Sequence, residues 1–421
     1  MKDIIVTTYD LDYQAQGIGR IEDKVTFVKG MFKDETGIVE IIKEKKNYTI
    51  ARLKTLIERS HDRVSDDTFD YAPLYGLSLE AECLWQQKIT QETIRKIANL
   101  HVNVGQTVTD HNKLNYRNKI TLHTKIIEGV LKIGVYKEQS RSLIEIDSHE
   151  LAHPIINQTI KHVAQLFKEK SFRFDFLKHI TIRTNETMIM LVLSVKKTAA
   201  SIETFIQTLK PYADSIYLNH AIEDYEILSQ DSQHIYGLEF LPIQFSSLTL
   251  SLGPTGFFQV NTNVALLMYE HIKNSIKGNV LIDAYAGMSS IGQFVSDKVK
   301  VLSIESNNDS VIQARASLLT NNINNVTIVH GNVENEIQKY INQADSIVFD
   351  PPRSGLAEPI LDLLLETPVK QIIYVSCDLK TLSRDLSRLS QTYIVESVTP
   401  FRMFPSTLHV ESIVLLSLKT A

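Results

Sequence analysis

From residue 279 onward, short runs of strand-forming residues alternate with helix-like stretches. The runs are NVLIDAYAG (279–287), VKVLSIES (299–306), VTIVHG (326–331), SIVFDPP (346–352) and QIIYVSC (371–377). They are almost continuously apolar, which is typical of parallel strands that are buried on both faces. Strands of this kind joined by helices predict a doubly wound α/β domain, with bounds of about 240–421.

Three acidic residues are predicted to end strands of this domain: Asp283, Glu305 and Asp350. In an open α/β sheet, ligands bind beyond the carboxyl ends of the strands. A carboxylate that ends the second strand, about 20 residues past the first loop, can accept both hydroxyls of a ribose. The pattern favours a nucleoside-containing ligand, although many doubly wound proteins also end strands in aspartate.

The loop after the first of these strands, DAYAGMSSIG, narrows the choice of ligand. It lacks the complete G-x-G-x-x-G of a dinucleotide site, and no phosphate-binding P-loop is present elsewhere. Acidic strand ends instead suit a cofactor that has a ribose and a positive charge but no phosphate. S-adenosylmethionine has these properties.

The residues before 240 form two further predicted regions. Residues 1–58 contain short alternating runs separated by Gly and polar turns, which predict a small β-barrel. Residues 59–239 mix strand-like runs with helices such as PIINQTIKHVAQLFKEK, which predicts a central α+β domain. Apolar residues at helical spacing also predict a helix over 85–103, which we expect to pack on the C-terminal domain.

Composition excludes several classes of protein. The chain has only two cysteines, Cys83 and Cys377, too few for a disulfide framework or a tetrahedral metal cluster, and low cysteine usage fits a reducing compartment. The N-terminus has no secretion signal, and no stretch reaches the about 20 apolar residues of a membrane helix. We therefore expect a cytoplasmic protein, without a membrane partner and monomeric. The net charge of −5 means that a polyanion would have to meet a local basic patch.

One of the two cysteines stands at an unusual place. In YVSCDLKTLSRDL (374–386) a strand-like run stops at Cys377 and a helix-like segment follows at once. The N-terminus of a helix stabilises a thiolate, which is the reactive form of cysteine. On position alone, however, a buried and inert cysteine is the commoner outcome.

Four motifs and the overall layout resemble one family. The motifs are FDPPRSGL (349–356), YVSCDLKTLSRDL, SLGPTGFFQVN (251–261) and TLHVESIVLL (407–416). With them the chain resembles, nearly end to end, the RNA uracil-5-methyltransferases, which transfer a methyl group from S-adenosylmethionine to C5 of uridine. Residues 1–58 are similar to the family's RNA-binding TRAM barrel, and NYRNK (115–119) resembles the signature that opens its central domain.

The resemblance implies roles for seven residues. Cys377 corresponds to the nucleophile and Glu411 to the base that removes the C5 proton, although Glu411 could also be only a polar residue that opens the strand ESIVLL. The remaining five correspond to cofactor ligands: Gln259, Tyr285, Glu305, Asn332 and Asp350.

The chain departs from the family pattern in two places. Many members hold an iron–sulfur cluster with four cysteines between the barrel and the central domain, whereas residues 60–88 here offer only Cys83. Four thiolates are normally required, so we expect no cluster and no other metal. In the cofactor loop, Ser289 stands where the family usually has a second glycine.

The resemblance therefore implies methylation of uridine at C5 in RNA through a covalent adduct between Cys377 and C6. Loss of the cluster and overall similarity favour 23S rRNA as the substrate. Two alternatives stay open: a tRNA uracil-5-methyltransferase, and a non-catalytic RNA-binding or RNA-folding factor on the same fold. Basic residues of the barrel, of NYRNK and of RFDFLKH (173–179) could hold RNA phosphates.

Overall fold

The computed structural model describes residues 4–137, 142–170, 176–196, 201–221 and 227–420. The start of the basic segment RFDFLKH, residues 173–175, lies outside these ranges. Two compact units emerge: a first unit of residues 1–113, 376–388 and 397–413, and a second unit of the remainder. No helix in the described ranges combines the length and apolarity needed to cross a membrane.

The first unit begins with a closed barrel of five strands in the order β1-β2-β3-β5-β4. Buried and exposed residues alternate along the early strands, so small apolar side chains such as Val6, Val28 and Val39 fill the interior. The predicted N-terminal barrel is confirmed. Its strands are β1 (Ile4–Leu11), β2 (Gly17–Ile21), β3 (Lys24–Lys29), β4 (Thr36–Glu44) and β5 (Tyr48–Glu58).

The helix predicted over 85–103 lies earlier in the chain, as α1 (Leu79–Ala98). Ser78 caps its N-terminus, because the serine side chain accepts a hydrogen bond from the backbone N–H of Ala81 at 3.3 Å. Asn99 ends the helix in the left-handed conformation, with φ of 53°. Apolar spacing alone had indicated the buried face but neither end.

A buried ion pair holds α1 against the C-terminal part of the first unit. A guanidinium nitrogen (Nη2) of Arg402 lies 2.7 Å from a carboxylate oxygen of Glu82, and both side chains are fully buried. The other Glu82 oxygen accepts the backbone N–H of Ser406 at 2.7 Å. The indole of Trp85 donates to the carbonyl of Asp12 in the barrel, at 2.9 Å. The helix thus connects the barrel with residues 402–406, which are distant in sequence.

The second unit begins with a seven-stranded sheet in the order β12-β11-β10-β9-β6-β7-β8. One face of its central strands packs with two amphipathic helices to form an apolar core around Phe167, Ile180 and Phe205. The strands are β6 (Lys119–Ile127), β7 (Val130–Tyr136), β8 (Leu143–Glu145), β9 (Leu177–Thr184), β10 (Ile189–Val195), β11 (Ser215–His220) and β12 (Ser232–Gly237); the helices are α2 (Pro154–Lys170) and α3 (Ser201–Leu209).

A hairpin then leads into the doubly wound domain. Its sheet has the order β17-β16-β15-β18-β19-β21-β20, and β15 to β19 pair in parallel. The order reverses direction between β15 and β18, which is where such sheets bind ligands. The hairpin is β13 (Leu241–Phe245) and β14 (Leu248–Leu252). The sheet strands are β15 (Val280–Ala284), β16 (Lys300–Glu305), β17 (Val326–His330), β18 (Ser346–Phe349), β19 (Gln371–Ser376), β20 (Tyr393–Phe401) and β21 (Glu411–Leu418).

The helices of this domain are α4 (Thr262–Ser275), α5 (Ser290–Phe294), α6 (Asn308–Thr320), α7 (Val333–Glu336), α8 (Glu358–Glu366) and α9 (Leu379–Leu389). The predicted fold class, a Rossmann-like α/β domain preceded by a small barrel and a central α+β domain, is confirmed. The compact units nevertheless group residues differently from boundaries at 58 and 239, since 59–113 and two C-terminal segments join the barrel. Contacts of long sequence separation, such as Glu82 with Arg402, cause this grouping.

Candidate active site

The second unit brings three of the five expected cofactor ligands to one edge of its doubly wound sheet. Ala284 pairs with Ile304 on one side and with Phe349 on the other. Each of these three aligned residues is followed in sequence by an expected ligand. The ligands Tyr285, Glu305 and Asp350 therefore lie at the carboxyl ends of three adjacent strands. This is the position at which open α/β sheets bind ligands.

Backbone N–H groups hold the carboxylate of Glu305 in place. Gly287 donates to one oxygen at 2.7 Å and Asn307 donates to the other at 2.6 Å. Each carboxylate oxygen can accept more than one hydrogen bond, so both remain able to accept hydroxyl groups. Glu305 is thus oriented before any ligand binds, as expected of a ribose-binding acid at the end of the second strand.

The loop between β15 and α5 has an unusual backbone. Tyr285, Gly287 and Ser289 have φ of 60°, 54° and 55°, in the left-handed region. Glycine adopts this conformation without steric cost, which explains its frequent use in such a loop. Ser289 tolerates it here with a hydroxyl that hydrogen-bonds the hydroxyl of Ser303 at 2.7 Å. Serine in place of the family's usual glycine therefore keeps the loop conformation, and its hydroxyl adds a hydrogen bond to β16.

Asp283, which sequence reasoning placed among the acidic strand ends, has a different position. It is buried, and its Oδ2 accepts hydrogen bonds from the backbone of Gly292 at 3.1 Å and from Ser303 at 3.2 Å. Burial raises the pKa of Asp283 to about 7, and the nearby Asp350 and Glu305 add to this. Asp283 fixes the start of α5 beneath the loop. Burial also raises the pKa of Asp350.

Gln259 and Asn332 lie on separate segments around this edge. Gln259 is 3% exposed, and its backbone carbonyl accepts a hydrogen bond from the Asn118 side chain at 2.9 Å. Its segment runs beside the loop, because the carbonyl oxygen of Phe257 lies about 3.9 Å from where a side chain on Gly287 would begin. Asn332 follows β17 and caps α7 without a side-chain hydrogen bond.

Sequence reasoning missed Glu334, which interacts with one of the expected ligands. The hydroxyl of Tyr285 donates to Glu334 Oε1 at 2.8 Å. The contact restrains the Tyr285 ring, whose backbone is already confined to a positive φ. The only sequence signal was the acidic residue in HGNVEN, two positions after Asn332.

Cys377 belongs to the first unit, where it lines a large cleft. It follows the fully buried strand β19, and its side chain is half-buried. The next residue, Asp378, caps α9 by accepting the backbone N–H groups of Lys380 and Thr381, both at 2.9 Å. The predicted junction between a strand and the start of a helix is therefore present. It holds the thiol at the end of a rigid strand.

The cleft has a volume of about 800 Å³. It is bounded by the barrel, by α1, and by residues 377–380 and 408–410. Barrel aromatic groups face it, of which Tyr13 is 56% and Tyr48 37% exposed. The ammonium group of Lys380 lies 4.8 Å from the centre of the Tyr13 ring. The cleft therefore combines flat aromatic faces and cationic groups beside a cysteine, a combination that suits unstacked nucleotides.

Glu411 is the first residue of β21, and it is 3% exposed. The preceding residue, Val410, lines the same cleft as Cys377 and packs with Leu379 in one apolar cluster. The structure thus brings the segments of the two expected catalytic residues together although 34 positions separate them in sequence. A carboxylate is rarely buried to this extent without a partner or a function.

The other cysteine has a different environment. Burial within α1 raises the pKa of the Cys83 thiol to about 11, and Glu82 and Glu80 contribute to the increase. Its backbone carbonyl accepts a hydrogen bond from the Thr107 hydroxyl at 2.9 Å. In the described ranges, no group of three or more His, Cys, Asp or Glu side chains is arranged to hold a metal ion.

Comparison with known proteins identifies the family. The model of the tRNA (uracil-5-)-methyltransferase family matches residues 84–419. An uncharacterized RNA methyltransferase of Fusobacterium nucleatum is 28% identical, over 100% of this chain and 97% of its own length. One of Clostridium acetobutylicum is 30% identical, over 97% of this chain and 95% of its own length.

A solved structure shares the fold. The tRNA (uracil-54, C5)-methyltransferase of Pyrococcus abyssi, in complex with S-adenosyl-L-homocysteine, has a TM-score of 0.77 and 21% identity over 97% of this chain and 99% of its own. The family model and the curated relatives show that this chain belongs to the RNA uracil-5-methyltransferase family and is an S-adenosylmethionine-dependent enzyme that acts on RNA.

Proposed function

We propose that the enzyme methylates uridine at C5 through a covalent intermediate in which Cys377 is bonded to C6. Uracil C5 is too weak a nucleophile to attack the methyl sulfonium unaided. Addition of a thiolate to C6 converts the ring into an enolate with electron density at C5, and C5 then displaces the methyl group from sulfur. Covalent catalysis in this way divides one difficult step into easier ones.

The observation that carries this proposal is the place of Cys377 in the cleft. Its side chain is half-buried directly after the end of strand β19, and aromatic and cationic groups line the same cleft. A uridine must leave its stack before a thiol can reach C6, so the substrate has to be a flipped or single-stranded nucleotide. A cleft of about 800 Å³ with exposed aromatic faces provides room and stacking partners for such a nucleotide.

Glu411 is the proposed base. After methyl transfer C5 still carries its original proton, and elimination of the thiolate from C6 requires that this proton leaves. The proposal is supported by the burial of the Glu411 carboxylate at the first position of β21, next in sequence to the cleft residue Val410. Removal of the proton restores the C5–C6 double bond, expels the Cys377 thiolate and releases 5-methyluridine.

For the cofactor, we propose the edge formed by Tyr285, Glu305 and Asp350, together with Gln259 and Asn332. The held carboxylate of Glu305 would accept the ribose hydroxyls, and the acids would favour the positive charges of S-adenosylmethionine. The left-handed loop at 285–289 lets the backbone approach the ligand closely. Replacement of either Glu305 or Asp350 should therefore weaken cofactor binding and leave the protein folded.

We expect Glu305→Ala and Asp350→Ala each to weaken S-adenosylmethionine binding by about 1–3 kcal/mol, the scale of a lost hydrogen bond to a charged group. Titration calorimetry measures the effect directly. Asp297→Ala is the matched control, because this exposed acid pairs with Lys273 at the surface. If both site variants bind the cofactor as the wild type does, the cofactor edge lies elsewhere.

As substrate we propose 23S rRNA, on the sequence resemblance and the missing cluster cysteines. The second candidate is tRNA, because the structurally similar Pyrococcus abyssi protein is a tRNA (uracil-54, C5)-methyltransferase. RNA labelled with tritium at uridine C5, prepared from a strain lacking the enzyme, decides between them. We expect tritium release from the rRNA fraction and none from the tRNA fraction; the reverse result would assign the enzyme to tRNA.

A further inference from the structure

One face of the central sheet carries three polar pairs in a row. Strands β6 and β9 are antiparallel, and their register places Lys119 opposite Arg183, Thr121 opposite Thr181 and His123 opposite His179. The alternate residues, among them Leu122 and Ile180, belong to the apolar core with α2 and α3. The polar pairs therefore project from the opposite face.

Two of the three pairs are satisfied internally. The hydroxyls of Thr121 and Thr181 lie 3.0 Å apart, and so do the Nδ1 atoms of His123 and His179. Burial lowers the pKa of both histidines, that of His179 to about 4, so near neutral pH the two rings share a hydrogen bond without a charge. These pairs need no further ligand.

The third pair is different, because it places two cations side by side. Arg183 is 2% exposed, and its Nη1 donates to the carbonyl of Gly256 at 2.7 Å. Its Nε has no hydrogen-bond partner among the described residues. Lys119 is partly exposed, and the described part of the chain offers its ammonium group neither a hydrogen bond nor an acidic partner. A charge buried without compensation is costly, and an anion would compensate both groups at once.

The pair also lies beside the proposed cofactor segment. Gly256, which Arg183 holds, is three residues before Gln259, and Asn118, next to Lys119, donates to the Gln259 carbonyl at 2.9 Å. Lys119 is the last residue of NYRNK and is accessible from solvent, whereas Gln259 is buried. An anion that reaches Lys119 would therefore come from the solvent side.

We propose that Lys119 and Arg183 form an anion site that binds one backbone phosphate of the RNA substrate. Arg183 is the fixed member, since it is buried and tied to Gly256. Lys119 is the accessible member and provides the charge that the phosphate meets first. The site rests on RNA being the substrate and does not depend on the chemistry assigned to Cys377.

The test compares RNA binding by Lys119→Met and Lys132→Met. Lys132 lies on the neighbouring strand β7 but already pairs with Glu145 at 2.6 Å, so it is a matched control. Lys119→Met should bind RNA more weakly, and the slope of log affinity against log salt should fall by about 1, because one phosphate contact is lost. Lys132→Met should match the wild type, and all three proteins should bind S-adenosylmethionine equally.

Binding, not turnover, is measured, so the result stays informative even if Cys377 is not the nucleophile. An unchanged RNA affinity and salt slope in Lys119→Met would overturn the proposal. Weaker cofactor binding with unchanged RNA binding would also overturn it, because the anion would then be the cofactor carboxylate. Leaving Arg183 intact avoids the loss of its structural contact with Gly256.

A second variant tests the charge itself. Repulsion from Arg183, with burial, lowers the pKa of Lys119 to about 7. The same face of β6 also carries His123 and Lys125, and the facing strand β9 carries Arg183 and His179. The loop at 253–258 has no titratable residue. A bound phosphate would restore the proton, so wild-type RNA affinity should fall by up to about tenfold per pH unit between pH 7 and 9. The RNA affinity of Lys119→Arg should not change with pH over this range, because arginine stays protonated. If its affinity falls with pH as that of the wild type does, Lys119 is not the titrating group.

Discussion

A Cys377→Ala variant is expected to lose methylation entirely and to form no covalent complex with RNA. Without the thiolate nothing adds to C6, and C5 does not gain the electron density that it needs to attack the sulfonium. The measurement is a denaturing gel with labelled RNA that contains 5-fluorouridine. The wild type should give a slowly migrating band, because fluorine at C5 cannot leave as a proton and the adduct persists.

The chain provides a matched control in its other cysteine. Cys83→Ala should keep both the adduct and the activity, since burial raises the pKa of the Cys83 thiol and leaves it unreactive at neutral pH. Calorimetry with S-adenosylmethionine shows that each variant is folded. A covalent band from Cys377→Ala, or its absence in Cys83→Ala, would mean that the nucleophile has been assigned to the wrong residue.

A Glu411→Gln variant is expected to stall after methyl transfer and to accumulate RNA linked to Cys377. Addition of the thiolate and transfer of the methyl group both precede removal of the C5 proton, so neither needs the carboxylate. Turnover should fall by about 100- to 10,000-fold, the usual contribution of a positioned general base. With ordinary RNA, the covalent band should require S-adenosylmethionine for its full yield.

The two catalytic roles can then be separated by combining the variants. Glu411→Gln with Cys377→Ala should give no band, because the first step is lost. Mass spectrometry of the trapped complex should show the added methyl group together with the original C5 proton. Normal turnover by Glu411→Gln would transfer the role of base to another residue, while leaving the nucleophile unaffected.

Much of the doubly wound domain could be predicted from the sequence, because burial of parallel strands on both faces leaves a clear apolar pattern. The strands at 280–284, 300–305 and 346–349 lie within the predicted runs, and their acidic ends meet at one edge. The N-terminal barrel was predicted for the same kind of reason, from alternation and turn residues. The ends of α1 were not, since capping by Ser78 and the left-handed Asn99 decide them locally.

The family could also be predicted from the sequence. The motifs around Asp350, Cys377 and Glu411 carried the resemblance, and the family match agrees with it. Two features escaped prediction: Glu334, which holds Tyr285, and the structural position of Asp283 beneath the loop. Neither is visible in one dimension, because a hydrogen-bond partner far along the chain has no fixed spacing.

By itself, then, the sequence determined the fold class, the acidic strand ends and the family, because periodicity and motifs are local properties of a chain. Only the tertiary structure decided which distant groups meet. It joined Glu82 to Arg402, placed Cys377 and Val410 in one cleft, and set Lys119 beside Arg183. Such contacts depend on strand register and helix packing, which arise from the packing of the whole chain rather than from any one segment.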